Sequence, residues 1–186
     1  MVEISYLMMV GIISAVWVLV RGVCWIRNMR FDLKREAELV LVYICIVVVA
    51  RFTFCPFGTV EGKIQPLLFD SAQILPLKVN LLPFVYWFDY PTMREALLNL
   101  IGNTAMFIPL GIVWPAVFKK LNTHGKIIAA GVGVSMCIEI LQLPFFSRTT
   151  DVDDLILNSA GFVMGYGIYL LAKMVAARRF AVVTKG

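Results

Sequence analysis

The sequence predicts an all-α membrane protein: a bundle of about five transmembrane helices with a re-entrant or interfacial segment between spans two and three. Three observations carry that prediction. Hydrophobic residues make up 60% of the 186 positions and charged residues 16%, against roughly 45–50% and 25% in soluble domains. Five runs approach or exceed the roughly 20 mostly apolar residues that a bilayer-crossing helix needs. Lys and Arg gather in short clusters between those runs rather than along one basic element, which marks topology rather than nucleic-acid binding.

The predicted spans are Ile4 to Ile26, Glu38 to Cys55, Leu97 to Phe118, Ile127 to Phe146 and Leu155 to Lys173. The first is followed by Arg27, Arg30, Lys34 and Arg35 and carries no small-residue cleavage site, so it reads as a retained span. No internal repeat divides the chain, and residues 1–186 read as one integral membrane domain. Residues 1–35 add an N-terminal helix and basic loop outside the motif-bearing region, 51–170.

Basic residues alternate in density from one connection to the next. Arg27, Arg30, Lys34 and Arg35 lie between spans one and two, Lys119, Lys120 and Lys126 between three and four, and Lys173, Arg178, Arg179 and Lys185 at the C-terminus. The other connections hold Lys63, Lys78, Arg94 and Arg148. Eleven against four places the N-terminus outside and the C-terminus in the cytoplasm by the positive-inside rule. The connection from Pro56 to Ala96 carries Phe84, Tyr86, Trp87, Phe88 and Tyr90. Its apolar run Leu81 to Phe88 is too short to span and suits an interfacial or re-entrant position.

Unpaired polar groups are costly in hydrocarbon, so intramembrane polar residues face a bundle interior. Here they recur at helical spacing: Asn99 and Asn103 in span three, Ser135, Glu139 and Gln142 in span four, Asp154 and Asn158 in span five. At a rise of 1.5 Å per residue, Glu139 lies about 10 Å below Phe146, Asn103 about 9 Å below Leu97, and Asn158 about 4–5 Å below Leu155. All converge near one membrane face, where Arg51, Arg148, Asp151 and Asp153 add charge. The expected result is an outward-opening polar pocket. Gly161 and Gly165 in span five, and Ala129, Ala130, Gly131 and Gly133 in span four, permit close helix approach. Pro109 is expected to kink span three below the asparagines.

Competing structural roles are plain. The Glu139, Asn103 and Asn158 cluster can lock helix register by hydrogen bonding. Asp151, Asp153 and Asp154 can favour the N-terminus of span five through its dipole or as caps. An oxygen site for Mg²⁺ or Ca²⁺ can be drawn from Glu139 and the aspartates, but nothing sets a ligand count, so no metal is assigned. Cys24, Cys45, Cys55 and Cys137 lack metal-ligand spacing, and His124 stands alone. No Gly-rich phosphate loop is present, and no cofactor is expected.

These motifs resemble the VanZ-like family of bacterial membrane proteins. The matching stretches are Asn80-Leu81-Leu82-Pro83-Phe84, Gly102-Asn103 with Phe107, Pro109, Leu110 and Gly111, Glu139 with Gln142, and Arg148 with Asp151-Val152-Asp153-Asp154-Leu155, Asn158, Gly161 and Gly165-Tyr166. The resemblance implies a multi-pass protein of the bacterial plasma membrane, in a family whose named member is associated with resistance to the glycopeptide teicoplanin.

Three functions follow from these residues. The first is a binder of an outer-leaflet lipid, a lipid-linked cell-wall precursor or a lipoglycopeptide tail, through Arg51, Asn80, Asn99, Asn103, Glu139, Gln142, Arg148, Asp151, Asp153, Asp154 and Asn158. The second is an enzyme acting on phospho-head groups, with Glu139 as general base beside Asp154 and Arg148. A transporter ranks third, because the polar residues stop in one half of the membrane and no inverted repeat is evident. Membrane lipids are the expected partners, and nucleic acid is not.

Overall fold

The structure, a computed structural model, describes residues 2–29, 31–55, 59–60, 63–64, 66–75, 79–84, 92–146, 148 and 150–183. A short strand β1 (Val2–Ile4) precedes helix α1 (Tyr6–Asn28), which is followed by α2 (Leu33–Phe54). The long connection holds β2 (Thr59–Val60), β3 (Lys63–Ile64), β4 (Leu67–Phe69), a 3₁₀ turn at Ser71–Ile74 and β5 (Val79–Asn80). Then come α3 (Met93–Val117), α4 (His124–Gln142), β6 (Thr150–Asp151) and α5 (Val152–Val183). All five helices are long and apolar enough to cross a membrane, as the sequence predicts.

Capping chemistry sets the helix starts earlier than hydropathy alone places them. Asp32 accepts the Lys34 and Arg35 N–H groups at 3.0 and 3.3 Å, and Thr92 accepts that of Glu95 at 3.3 Å. Glu36 and Glu95 in the first turns favour the same ends through the helix dipole. Helix α4 ends at Gln142, short of the predicted Phe146. Beyond it the Pro144 carbonyl accepts the Asp70 N–H at 2.8 Å and Phe146 N–H donates to the Leu68 carbonyl at 3.0 Å, committing that segment to the long connection.

The strands are departures from the sequence-based prediction. β1 pairs antiparallel with β4, with Ile4 opposite Leu67, and β5 pairs parallel with β6, with Asn80 opposite Asp151. Ladders of two or three residues are too short to leave a period-two signature. They nonetheless tie the N-terminus, the long connection and the α4–α5 loop to one end of the bundle. The residues Tyr86, Trp87, Phe88 and Tyr90, on which the interfacial expectation rests, lie outside the described residues, as do Arg30, Lys78 and Lys185.

Helices α3 and α5 form the central packing pair, with α2 on α3 and α4 on α5. Added methyls at Gly161 and Gly165 would collide with the carbonyls of Thr104 and Ile108, and one at Gly111 with that of Phe162. The α3 and α5 backbones therefore touch where only glycine fits, as expected for closely packed membrane helices. Gly131 receives the buried Phe162 ring from α5. Gly133 faces open space, so it takes no part in the close approach expected of span four. Helix α3 continues through Pro109 and Pro115 to Val117.

Helix α1 buries no residue. Polar contacts fasten it to α2: the Ser14 and Tyr43 hydroxyls meet at 2.7 Å, Arg21 pairs with Glu36, and the Trp25 indole N–H donates to Glu36 at 2.9 Å.

Candidate functional site

Three helices deliver their polar stripes to one end of the bundle. In α4, Ser135, Glu139 and Gln142 are all buried, and so are Asn103 in α3 and Asn158 in α5. At the deepest level the Asn158 amide donates to the Ser135 hydroxyl at 3.1 Å. One turn nearer the membrane face, the Asn103 amide donates to the Asp154 carboxylate and to Asn99 Oδ1, the latter at 3.4 Å. Of the i, i+4 pairs read from the sequence, Asn99 and Asn103 meet directly, whereas Asp154 and Asn158 each bond to another helix, Asp154 to Asn103 and Asn158 to Ser135.

Glu139 joins α4 to the loop that starts α5. Its Oε2 accepts the Asp151 N–H at 3.1 Å, and its main-chain carbonyl accepts the Thr150 hydroxyl at 2.8 Å. No carboxylate lies within 4.0 Å of Arg148 among the described residues; the ion pairs there are Arg21–Glu36 and Arg35–Glu38. Arg148 instead donates from Nε and Nη2 to the Phe54 carbonyl at 3.3 and 2.9 Å. Burial pushes the Arg148 guanidinium below its ordinary value, while Asp154, Cys55 and Glu139 draw it back up. Guanidinium basicity is high enough that the cation persists.

The remaining acidic residues work as tethers. Asp151 accepts the Asn80 amide at 3.1 Å and the Asp153 N–H at 3.0 Å, and Asp153 accepts the Phe84 N–H at 2.9 and 3.1 Å. Phe84 sits in the left-handed region at φ 60°, a costly conformation for a bulky residue that this bidentate contact holds in place. Asn80 also accepts the Leu82 N–H at 3.1 Å. Asn80, Asp151 and Asp153 therefore pin the long connection over the start of α5.

Two donors satisfy the end of α2. The Gln142 amide reaches the Thr53 carbonyl at 2.7 Å, and Arg148 reaches that of Phe54. These are carbonyls that a helix terminus leaves without intrahelical partners. Sequence reasoning missed Thr53 and Phe54, because a carbonyl acceptor carries no residue-type signal and its donor is 89 or 94 positions away, and it missed Thr150, whose hydroxyl donates to a main-chain carbonyl that likewise carries no such signal. Arg51 lies at the same end of α2, with its guanidinium 5.7 Å from the Tyr6 ring of α1 and Nη1 donating to the Cys55 carbonyl at 3.4 Å.

Two acceptors inside the network, Gln142 Oε1 and Asn158 Oδ1, are buried with no hydrogen-bond partner among the described residues. Cavities are found at the opposite, basic end. One of about 750 Å³ lies between the start of α2, the end of α3 and α4, and another of about 710 Å³ lies between α1 and α2. Among the described residues no cluster of three or more His, Cys, Asp or Glu is arranged to hold a metal ion.

A family model described as VanZ/LLP1 matches residues 40–173. The chain is 29% identical over 110 residues to Protein VanZ of Enterococcus faecium, covering 59% of this chain and 63% of that protein. It is 30% identical over 82 residues to the uncharacterized membrane protein YwnJ of Bacillus subtilis, covering 44% of this chain and 56% of the relative. The matches thus span less than two thirds of either relative's length. No solved structure matches the chain. The matched region contains the whole polar network and excludes α1.

Proposed function

The chain belongs to the VanZ/LLP1 family, and on that premise we propose that the network around Glu139, Asp154, Asn103, Asn158 and Arg148 binds the polar head of a membrane-borne ligand. The ligand class is an outer-leaflet lipid, a lipid-linked cell-wall precursor or the lipid-bearing end of a glycopeptide drug. Binding there changes the access of a drug such as teicoplanin to its target.

The observation that carries this reading is a network with unmet hydrogen-bonding capacity. A cluster that serves only to lock helices gains most when every member is satisfied, since an orphaned buried acceptor is destabilising. Here Gln142 Oε1 and Asn158 Oδ1 have no partner among the described residues, and Arg148 is fixed by a neutral carbonyl rather than by Glu139 or Asp154. Such a site offers a guanidinium to a phosphate and several acceptors to hydroxyl, amide or ammonium donors. A phosphorylated head group bearing hydroxyls or amides presents both. Asn80, Asp151 and Asp153 serve this site indirectly, by holding the connection that covers it.

A second reading is an enzyme acting on the phospho-head group. It is favoured by Glu139, whose Oε2 accepts the Asp151 N–H while the carboxylate keeps lone pairs able to take a proton from a bound hydroxyl or water. Asp154 and Arg148 would orient the head group and stabilise developing charge.

Both readings are tested on purified protein in nanodiscs with a radiolabelled lipid-linked precursor and radiolabelled phospholipid. Saturable retention by the wild type, lost in Glu139→Gln and Asp154→Asn with helical content unchanged, supports the binding site. Equal retention by all three proteins rejects it. Chemical change of a label that depends on Glu139 moves the assignment to the enzyme.

A further inference from the structure

The cavity of about 750 Å³ at the basic end has a built character that the polar network does not explain. Its walls are largely apolar, with the Trp114 and Phe118 rings packed 4.7 Å apart, and its rim carries Lys34, Arg35, Lys119 and Lys120. The carboxylates on that rim are engaged. Asp32 accepts the N–H groups that start α2, and Glu38 pairs with Arg35 at 3.3 Å. Arg35 is further held by the Val117 carbonyl and lies 5.8 Å from the Phe118 ring. Lys34, Lys119 and Lys120 form no ion pair within 4.0 Å among the described residues, so positive charge dominates the rim. The Trp114 ring lines the cavity, while its indole N–H is buried and has no partner among the described residues.

We propose that this cavity is a binding site for one anionic phospholipid of the leaflet that the basic end faces. Its phosphate lies among Lys34, Lys119 and Lys120, and one acyl chain runs along Trp114 and Phe118. Each feature answers one part of such a lipid: cations for the phosphate and an aromatic wall for the chain. A soluble anion would match the lysines alone and leave the apolar walls unused. Basic pockets between helices at a membrane face are suited to anionic head groups. This site is separate from the polar network, and neither depends on the other.

The test uses the full chain purified in detergent, with native mass spectrometry to count retained phosphatidylglycerol or phosphatidylcholine, and quenching of tryptophan emission by phosphatidylglycerol with brominated acyl chains. The wild type is expected to retain one phosphatidylglycerol in preference to phosphatidylcholine and to be quenched by the brominated lipid. Each lysine near a membrane surface contributes about fivefold to anionic-lipid affinity, so the triple change Lys34→Gln, Lys119→Gln, Lys120→Gln is expected to lower retention roughly a hundredfold. Trp114→Phe keeps the aromatic wall and is expected to keep retention while losing the part of the quenching that Trp114 reports. Equal retention of the two lipids by the wild type overturns the proposal. So does a triple variant that folds and keeps its preference, or displacement of the lipid by millimolar glycerol phosphate, which would show a site for the head group alone.

Discussion

At the scale of single residues, the polar end of the bundle separates into groups that hold the structure and groups available to a ligand. Asp153 and Asp154 are adjacent and chemically alike, yet Asp153 secures the Phe84 backbone while Asp154 meets Asn103 inside the network. Asp153→Asn is therefore expected to leave lipid-precursor retention within about twofold while loosening the connection, read as faster proteolysis between β5 and α3; the loss of a charge-assisted contact is worth about 1.5–3 kcal/mol. Asp154→Asn is expected to abolish retention with proteolysis unchanged. Loss of retention in both variants would mean that the two aspartates act as one unit. Ser135→Ala asks a structural question, because it leaves the Asn158 amide without the hydroxyl it meets at 3.1 Å. Interhelical hydrogen bonds of this kind average about 0.6 kcal/mol and reach about 1.7, so steric-trapping measurements should find a loss within that span. The sequence already showed which residues share a helix face, because spacing of three or four converts directly into direction. It could not show that Arg148 and Gln142 would cap α2, because a helix end that lacks donors is visible only once a distant chain segment has been folded against it.

At the scale of elements, glycine placement determines which helices approach closely. Gly161 and Gly165 lie one turn apart on α5, and each faces a carbonyl of α3. Gly161→Ala or Gly165→Ala is expected to push the two helices apart, at a cost of about 1–3 kcal/mol typical of overpacking. Gly133→Ala, where nothing lies within 4 Å, is expected to be neutral or slightly stabilising, since alanine favours the helix by up to about 1 kcal/mol. Unfolding free energies of the three variants in one detergent check the contrast; equal destabilisation would remove the backbone-contact account. The Gly161 and Gly165 spacing was legible as a contact surface, but its partners Thr104 and Ile108 were not, because small-residue spacing marks one side of an interface and says nothing about the other. The strands were illegible for a different reason. β5 and β6 are each two residues long and join segments some seventy positions apart, so their pairing depends on helix packing rather than on local pattern.

At the scale of the whole molecule, five helices run between two ends of one bundle, and the fold sorts its chemistry accordingly. The Glu139 network lies beside β1, the N-terminal strand's partner β4 and the start of α5, while the lysine-rimmed cavity lies where α2 begins and α3 ends. The fold establishes that these are different ends, and the charge distribution proposes which is which. Clusters of Lys and Arg are retained on the cytoplasmic side, so the network should face outward, toward lipid-linked precursors and glycopeptides, and the lysine-rimmed cavity inward, toward anionic lipids. Orientation decides which leaflet each site meets, whereas binding at either site does not depend on the other. Phe146 is exposed in the α4–α5 loop and Lys120 is exposed between α3 and α4, which makes them reporters for the two faces. In a background with Cys24, Cys45, Cys55 and Cys137 changed to alanine, Phe146→Cys should react with a membrane-impermeant maleimide in intact cells. Lys120→Cys should react only after permeabilisation. The reverse pattern would put Glu139 and Arg148 against the cytoplasmic leaflet, where an extracellular drug and a flipped precursor do not reach, and would leave inner-leaflet head groups as the ligands for that network.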